Sequence, residues 1–376
     1  MMFSSADWLP GIPVHKIKVW VLAPYLLTED AHIDYYYDFS QSIAEYGKVF
    51  AELDIPWQWQ PVTMKDYGAV IDTIDAEKKA GNYLPVVLNL CDGDEINGSP
   101  GISVIKELDK KGLVYTGSDE HFYQITTSKI PMKQAFDKAG VSNARWEAIL
   151  SPAQSTENLF RQLGIPIIVK PAVSGGSMGV GVKNVVHTIE ELQLQVTKMF
   201  EGYRGWNLVT DGIIAESFIK GREFTTMIVG SACFPESCRV LDPVERIFHP
   251  SLKETEKFLS FDRLWEIYEE EAAMPEEANF YEYAQPEPSL HNALKQISLD
   301  AYLALGGTGY TRIDIRMDAA TGKLYVLEAN AQCGISEDEN FTSIGAILRM
   351  SGISFTRLIV HIINDAFRRK EPIRLP

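Results

Sequence analysis

Four polar residues near the carboxyl-terminal end of the chain fall on two predicted strands at a spacing that could support chemistry. Period-2 alternation puts Arg312 and Asp314 on one face of the first strand, and Glu328 and Asn330 on one face of the second. If the strands form a hairpin centred on Thr321, the two acids lie opposite each other, and the arginine lies opposite the asparagine. Opposed carboxylates repel unless a cation lies between them, and such hard oxygen ligands suit Mg²⁺.

A solvated sheet face with scattered charges would explain the same pairing equally well. The turn that follows, residues 331–336, changes this balance because its backbone N–H groups, including that of Gly334, could face the same pocket. A metal ion, Arg312 and backbone donors together would stabilise negative charge that develops during phosphoryl or acyl transfer.

A second candidate site is the glycine-rich segment that follows Lys170. Four of the seven residues from 175 to 181 are glycines, which lets the backbone approach a phosphate and present N–H groups to it. The segment is not a P-loop, because the lysine precedes the glycines and a strand is predicted after them. Taken alone, a glycine-rich hairpin is more often a plain turn.

A third candidate is a strand, a tight turn at Gly221 and a second strand. Glu216 and Glu223, seven residues apart, could accept hydrogen bonds from an adenine amino group and from ribose hydroxyls. Exposed glutamates at strand ends are the alternative.

The elements that position these residues follow an α/β pattern. In the first unit we predict strands at 17–22, 86–90 and 113–115 and helices at 35–53 and 102–111, which form an open, mainly parallel sheet. A second unit starts near residue 128 with a helix at 129–139 and strands at 145–150 and 165–170. A third unit starts with a strand at 213–216. Residues 245–288 are predicted to be a large surface excursion or lid.

Composition and charge exclude several classes of protein. The chain is 45% hydrophobic and 23% charged, as in ordinary soluble proteins, and its apolar runs are too short to span a membrane. A net charge of −16 without a basic stripe argues against a nucleic-acid partner. The four cysteines have no metal-binding spacing, and no signal peptide is apparent, so a reducing cytoplasm is the expected location.

In their order and composition, these segments resemble the D-alanine–D-alanine ligase branch of the ATP-grasp superfamily. The resemblance runs from about residue 86 to residue 369 and is most specific at the Lys170 loop, at 216–223 and at 312–334. It implies an α/β (α+β) fold of three subdomains, in which an N-terminal open parallel sheet precedes two α+β subdomains that enclose ATP. The expected boundaries are 14–125, 126–212 and 213–376.

The resemblance also implies the roles of individual residues. The groups that hold the phosphates or close over them are Lys129, Lys170, Gly175, Gly176 and Ser177. Those that contact adenine and ribose are Glu216, Ile219 and Glu223. The metal ligands are Asp314, Glu328 and Asn330, and the groups that stabilise the tetrahedral intermediate are Arg312 and Gly334. Ser177, in the lid, is counted with these last two as catalytic.

The activity that follows from the resemblance is ATP-dependent joining of a carboxylate to an amine through an acyl phosphate. Two Mg²⁺ ions, with Mn²⁺ as an alternative, would neutralise the phosphates, and closure of the second unit over the third would exclude water. The expected partners are a small carboxylate donor and an amine acceptor, such as an amino acid or a short peptide. A homodimer is suggested by family habit alone.

The chain departs from the family pattern at both substrate ends. Residues 23–30 lack the glycine-rich segment with its glutamate, residues 91–95 lack a histidine, and Gly176 replaces a lid serine. Residues 336–340 carry three acids where the family offers a hydroxyl to the acceptor's carboxylate. We therefore hypothesise an acceptor other than D-alanine, either cationic or without a carboxylate there; an exposed acidic turn is the alternative.

A family lysine that reaches the γ-phosphate also has no clear match, and only Arg263 in residues 260–265 could replace it. Two other functions retain most of the site. An ATP-grasp phosphotransferase, or a ligase that modifies a protein tail, would differ only in the acceptor pocket. A nucleotide-binding module without catalysis would not need the four polar residues of the hairpin.

Overall fold

The computed structural model describes residues 8–26, 38–202, 205–275, 278–338 and 342–370. Three β-sheets organise this part of the chain, and each is covered by helices. The predicted donor segment at 23–30 and the predicted start of the first helix at residue 35 extend outside the described residues.

The first sheet is wholly parallel and has the strand order β2-β1-β3-β4. Its strands are β1 (Ile17–Pro24), β2 (Trp57–Val62), β3 (Leu84–Asn89) and β4 (Val114–Tyr115). Its helices are α1 (Ser40–Leu53), α2 (Tyr67–Ala80), α3 (Ile102–Lys110) and α4 (Glu120–Thr127). The run Val86, Val87 and Leu88 is fully buried, as expected for a parallel strand covered on both faces. The predicted open parallel sheet is confirmed.

The second sheet is antiparallel and has the order β5-β8-β6-β7. Its strands are β5 (Trp146–Ile149), β6 (Ile167–Pro171), β7 (Val185–Val186) and β8 (Ile213–Ser217). Its helices are α5 (Lys129–Ala139), α6 (Leu159–Leu163) and α7 (Ile189–Glu201), with a 3₁₀ turn at Val182–Asn184. We predicted that β8 opens the third unit, and this was wrong: β8 pairs with β5 and β6, so it completes the second sheet.

The third sheet has the order β12-β11-β9-β13-β14, with β10 paired to β9. Its strands are β9 (Gly221–Ser231), β10 (Phe234–Val240), β11 (Val244–Phe248), β12 (Tyr281–Ala284), β13 (Thr308–Asp318) and β14 (Leu324–Ala331). Its helices are α8 (Phe261–Leu264), α9 (Pro288–Ala304), α10 (Ser343–Ser351) and α11 (Phe355–Lys370), with a 3₁₀ turn at Glu254–Glu256.

The stretch predicted as a surface excursion is in part a sheet element. Its two ends, β11 and β12, pair with each other, and β11 also pairs with β9. Only the residues between these strands leave the third sheet.

One hydrophobic core joins the first sheet to the third. It contains Val86 and Leu88 of β3, Tyr310 of β13, and Ile359 and Ile363 of α11. No single helix in the described ranges is long and apolar enough to cross a membrane; only α10 and α11 taken together pass that test by length and composition, and they are bent by 101°. Most of the apolar side chains of both helices belong to this core.

Candidate active site

The hairpin of β13 and β14 carries the predicted carboxylate pair. Asp314 lies opposite Glu328 and Arg312 lies opposite Asn330, so the predicted register is confirmed at these positions. The register shifts just beyond Asp314, because β14 contributes one extra residue to the ladder. Such a β-bulge re-aims the side chains next to it, and this one directly adjoins the two acids.

Asp314 is the most constrained of the four residues. Its carboxylate accepts hydrogen bonds from Thr225 Oγ1 at 2.8 Å, from Asn330 Nδ2 at 3.0 Å and from Arg312 Nη2 at 3.0 Å. Burial alone would raise the pKa of Asp314, but Arg312 and Arg246 outweigh it and hold the pKa below its usual value. Asp314 is therefore a carboxylate. The sequence analysis did not identify Thr225. The one indication would have been its pairing with Asp314 across the neighbouring strand β9.

Lys129 connects these carboxylates to the glycine-rich loop. Its ammonium lies 3.6 Å from Glu328 Oε2 and 3.4 Å from Ser174 Oγ, at the start of the loop. The side chain starts from the first residue of α5, whose backbone N–H donates to the carbonyl of Ala172 at 2.8 Å. The predicted phosphate loop and the predicted metal ligands thus lie within reach of one ammonium group.

Residues 174–181 form the glycine-rich loop itself. The N–H of Met178 donates to the carbonyl of Gly175, and the N–H of Val180 donates to that of Ser177. Ser177 has a φ of 61° and Gly179 a φ of 71°, so the backbone turns twice through the left-handed region. We predicted a strand directly after the loop, but a 3₁₀ turn comes first and β7 has only two residues.

A buried ion cluster joins Glu216 to two lysines. Its carboxylate pairs with Lys170 and lies 2.7 Å from the ammonium of Lys133. Burial raises the pKa of Glu216, but the two lysines outweigh it and lower the pKa to about 2. Lys133 was missed, although it lies four residues after Lys129 and thus on the same face of α5. Lys170, which was expected to hold the phosphates of ATP, is therefore a direct partner of Glu216, which was expected to contact adenine.

Glu223 lies in a second buried cluster, on the same sheet face as Asp314. It pairs with Arg246 and with Arg316, and Arg316 also donates to the backbone carbonyl of Ile219 at 3.2 Å. The alternative of exposed glutamates is wrong for both Glu216 and Glu223, which are only 2% and 4% exposed.

Beyond Asn330 the chain turns and is fastened to the first unit. Gln332 has a φ of 55°; its amide donates to the carbonyl of Cys91 at 2.7 Å and accepts from the hydroxyl of Ser118 at 3.2 Å. Burial raises the pKa of Cys333 to about 12, so its thiol stays neutral. Gly334 borders open space, because a Cβ there would meet nothing within 4 Å.

The acidic turn after Gly334 packs on α1. Ser336 Oγ donates to Glu45 Oε1 at 2.7 Å, and Glu337 pairs with Lys48 at 3.0 Å. Asp338 accepts from Gln41 at 3.1 Å. Residues 339–340, the rest of the predicted acceptor segment, lie outside the described part of the chain.

Arg263, the suggested replacement for the family's lysine, is engaged elsewhere. Its guanidinium is buried and lies 3.0 Å from Glu256 and 3.5 Å from Glu271. In the loop that lacks the histidine, Glu95 caps the start of α3 by accepting from Ser103 N at 2.6 Å. The side chain of Asp92 in the same loop is exposed.

The family model for the D-ala D-ala ligase C-terminus matches residues 135–364, which is more than half of the chain. The chain belongs to the D-alanine–D-alanine ligase family. It is 28% identical over 303 residues to the D-alanine–D-alanine ligase of Xanthomonas axonopodis pv. citri (strain 306), covering 78% of this chain and 83% of that protein. It is 27% identical over 258 residues to that of Marinobacter nauticus, covering 69% and 68%.

Solved structures of this family share the fold. The D-alanine–D-alanine ligase of Bacillus anthracis complexed with ATP matches with a TM-score of 0.63 at 20% identity, over 94% of this chain and 98% of that one. The ligase of Coxiella burnetii matches with a TM-score of 0.62 at 17% identity, over 94% and 96%. The predicted ATP-grasp fold and the predicted class, an ATP-dependent ligase that forms C–N bonds, are confirmed.

The donor set of the hairpin is compatible with Mg²⁺. No group of three or more His, Cys, Asp or Glu side chains that could hold a metal occurs in the described ranges. Asp314, Glu328 and Asn330 supply two carboxylates and one amide. This suits an ion that takes one or two carboxylates from a protein and completes its shell with phosphate oxygens and water.

Proposed function

We propose that this family member joins a small carboxylate to an amine through an acyl phosphate. A carboxylate oxygen of the donor attacks the γ-phosphorus of ATP, the bond to the bridging oxygen breaks, and ADP leaves. The amine nitrogen then attacks the acyl carbon, and inorganic phosphate leaves with the bonding electrons. The nitrogen loses its proton to solvent, which leaves a neutral amide.

The observation that carries this proposal is the position of Lys129 between Ser174 and Glu328. A cation that reaches both a glycine-rich loop and one carboxylate of the pair is suited to hold a phosphate between them. Arg312 lies beside that pair, and Gly334 borders open space beyond it. Together they would stabilise the oxyanion of the tetrahedral intermediate.

The remaining site residues would bind the nucleotide. Lys170, Gly175, Gly176 and Ser177 belong to the phosphate side, and Glu216, Ile219 and Glu223 to the adenosine side. Two Mg²⁺ ions held by Asp314, Glu328 and Asn330 would supply neutralisation of the phosphate charge. We propose three units at 14–125, 126–217 and 218–376; the second boundary is moved from the predicted 212 so that β8 belongs to the central unit.

We further propose that the substrates are not two molecules of D-alanine. The described part of the acceptor turn contains Glu337 and Asp338 and packs on Glu45. Lys48 forms an ion pair with Glu337. Asp92 follows Cys91, whose carbonyl is bound by Gln332 next to the catalytic turn. Acidic residues in both of these segments favour a substrate with a cationic group. A cytoplasmic location and a homodimer remain predictions.

A substrate screen tests this function. Purified protein is mixed with ATP, Mg²⁺ and pairs of amino acids, released phosphate is measured, and hydroxylamine traps acyl phosphates as hydroxamates. We expect hydroxamate from the donor alone and amide from the pair. A stable phosphorylated product without hydroxamate would indicate the phosphotransferase instead, and D-alanine as the best acceptor would contradict the substrate proposal.

A further inference from the structure

The residues between β11 and β12 hold the glycine-rich loop through three backbone contacts. Trp265 Nε1 donates to the carbonyl of Gly176 at 2.8 Å, and the N–H of Phe261 donates to the carbonyl of Val180 at 2.8 Å. In the opposite direction, the N–H of Val182 donates to Glu271 Oε1 at 2.7 Å. We call residues 256–271 the brace segment, because they contact the loop at Gly176 and Val180 and the residue that follows it, Val182.

Packing supports the same contacts. The indole of Trp265 lies against Gly176, where an added Cβ would come within 3.2 Å of the ring, and Gly176 has a φ of 55°. Phe258 belongs to a small buried cluster with Val180 and Val185, which flank the end of the loop. The glycine at 176, where the family has a serine, thus leaves space for the indole.

The brace segment is itself fixed by buried charges. Glu271 uses one carboxylate oxygen for Val182, and the other accepts from Ser260 Oγ at 2.6 Å and faces Arg263 at 3.5 Å. Asp262 accepts from the N–H of Glu271 at 2.9 Å. The carboxylate that holds the loop therefore cannot move without breaking contacts inside the segment.

We propose that Trp265 and Glu271 are positioning residues for ATP, which act by holding residues 174–182 at the nucleotide phosphates. The inference depends on the proposed function, because it takes that loop as the phosphate-binding loop. Lys129 contacts the carbonyl of Ser174 and the brace segment contacts that of Gly176, so the backbone of the loop is held by two separate parts of the chain.

Binding and backbone exchange test the inference without relying on turnover. MgATP affinity is measured by calorimetry for the wild type, Trp265→Phe, Trp265→Ala and Glu271→Ala, with Trp57→Phe on β2 as the matched control. One hydrogen bond changes an equilibrium by about fivefold. We therefore expect MgATP to bind about fivefold more weakly to Trp265→Phe and weaker still to both alanine variants. The affinity of the control should be unchanged. Hydrogen exchange in residues 174–182 should become faster in the same order.

A conservative variant separates positioning from folding. Glu271→Gln keeps an oxygen that can accept from Val182 N, so it should retain more of the affinity and exchange protection than Glu271→Ala. Unchanged affinity and unchanged exchange in Trp265→Ala would overturn the inference. If the wild-type protein bound ATP but released no phosphate with any carboxylate, only the proposed function would be contradicted. The affinity comparison would still test the positioning role of Trp265 and Glu271.

Discussion

The two acids of the hairpin have different surroundings, although they lie side by side. Asp314 is buried, ion-paired with Arg312 and bonded to Thr225, whereas the side chain of Glu328 is 32% exposed and has Lys129 as a distant partner. The same chemical change should therefore have different effects on stability at the two positions. Strand alternation predicted that these acids lie opposite each other but could not show which of them is buried.

Glu328→Gln should reduce ATP turnover by about 100-fold or more, as expected when charge stabilisation is removed from a transferring phosphoryl group. Because its ion pair is long and partly exposed, the free energy of unfolding should fall by about 1 kcal/mol or less. Phosphate release and urea denaturation measure the two effects. Full activity in this variant would contradict the metal assignment.

Asp314→Asn should reduce both activity and stability. Asp314 is buried but the side chain of Arg312 is 25% exposed, so the loss of their ion pair should cost less than the about 3–5 kcal/mol typical of a fully buried pair. Urea denaturation of both hairpin variants under the same conditions makes the comparison. Equal stability of the two variants would show that the ion pair of Asp314 contributes no more to stability than that of Glu328.

Glu216→Gln should destabilise the fold by about 3–5 kcal/mol, because Lys133 and Lys170 would lose their shared counter-charge in a buried site. The stabilisation from Glu216 depends on pH. Its folded pKa of about 2 lies below the unfolded value of about 4.3, so this stabilisation is complete above about pH 4.3 and is lost as the pH falls towards 2. Glu216→Gln should show a shallower loss of stability over that range, whereas Glu147→Gln, at an exposed position on β5, should match the wild type.

Some helices and strands could be predicted from the sequence and others could not. The hairpin follows from alternation and a short turn, and α5 was predicted to the residue. The bulge after Asp314 depends on how β14 meets its neighbour, so no local pattern indicates it. The partners of β8 could not be predicted because a short buried strand can pair with any sheet that has an open edge. β2 was missed, although its alternating Trp and Gln residues are a strand pattern.

Gly179 is a position in the glycine-rich loop where both the backbone conformation and the available space favour glycine. Gly179 has a φ of 71°, and a Cβ there would lie 2.4 Å from Leu208 Cδ1, so Gly179→Ala should lower stability by about 1–2 kcal/mol. Thermal unfolding measures this change. Gly175→Ala in the same loop, where a Cβ meets nothing within 4 Å, should leave the melting temperature unchanged.

At the scale of the whole molecule, the hairpin of the proposed site is attached to the first unit as well as to its own sheet. Gln332, with 1% of its surface exposed, links the end of β14 to the loops of Cys91 and Ser118. The shared core places β3 against β13 behind it. The unit expected to bind the donor is therefore fixed to the catalytic turn by direct hydrogen bonds.

Gln332→Met should test this attachment, because it keeps the volume but leaves the carbonyl of Cys91 and the hydroxyl of Ser118 without their partner. We expect a loss of about 1–3 kcal/mol in the free energy of unfolding and a larger increase in KM for the carboxylate than for ATP. An equal increase in both KM values would indicate a general loss of structure instead.

Two edge strands of the third sheet, β14 and β12, differ in their openness to strand addition. Along β14, the N–H of Val326 donates to the carbonyl of Ser142 at 2.8 Å, so the chain after α5 occupies part of that edge. β12 ends the sheet on the other side, and Glu282 is exposed there. Two copies that paired through β12 about Glu282 would bring like charges together, which is how natural sheets resist aggregation at their edges. The exposed edge of β12 is therefore protected against backbone pairing with a second copy of the chain.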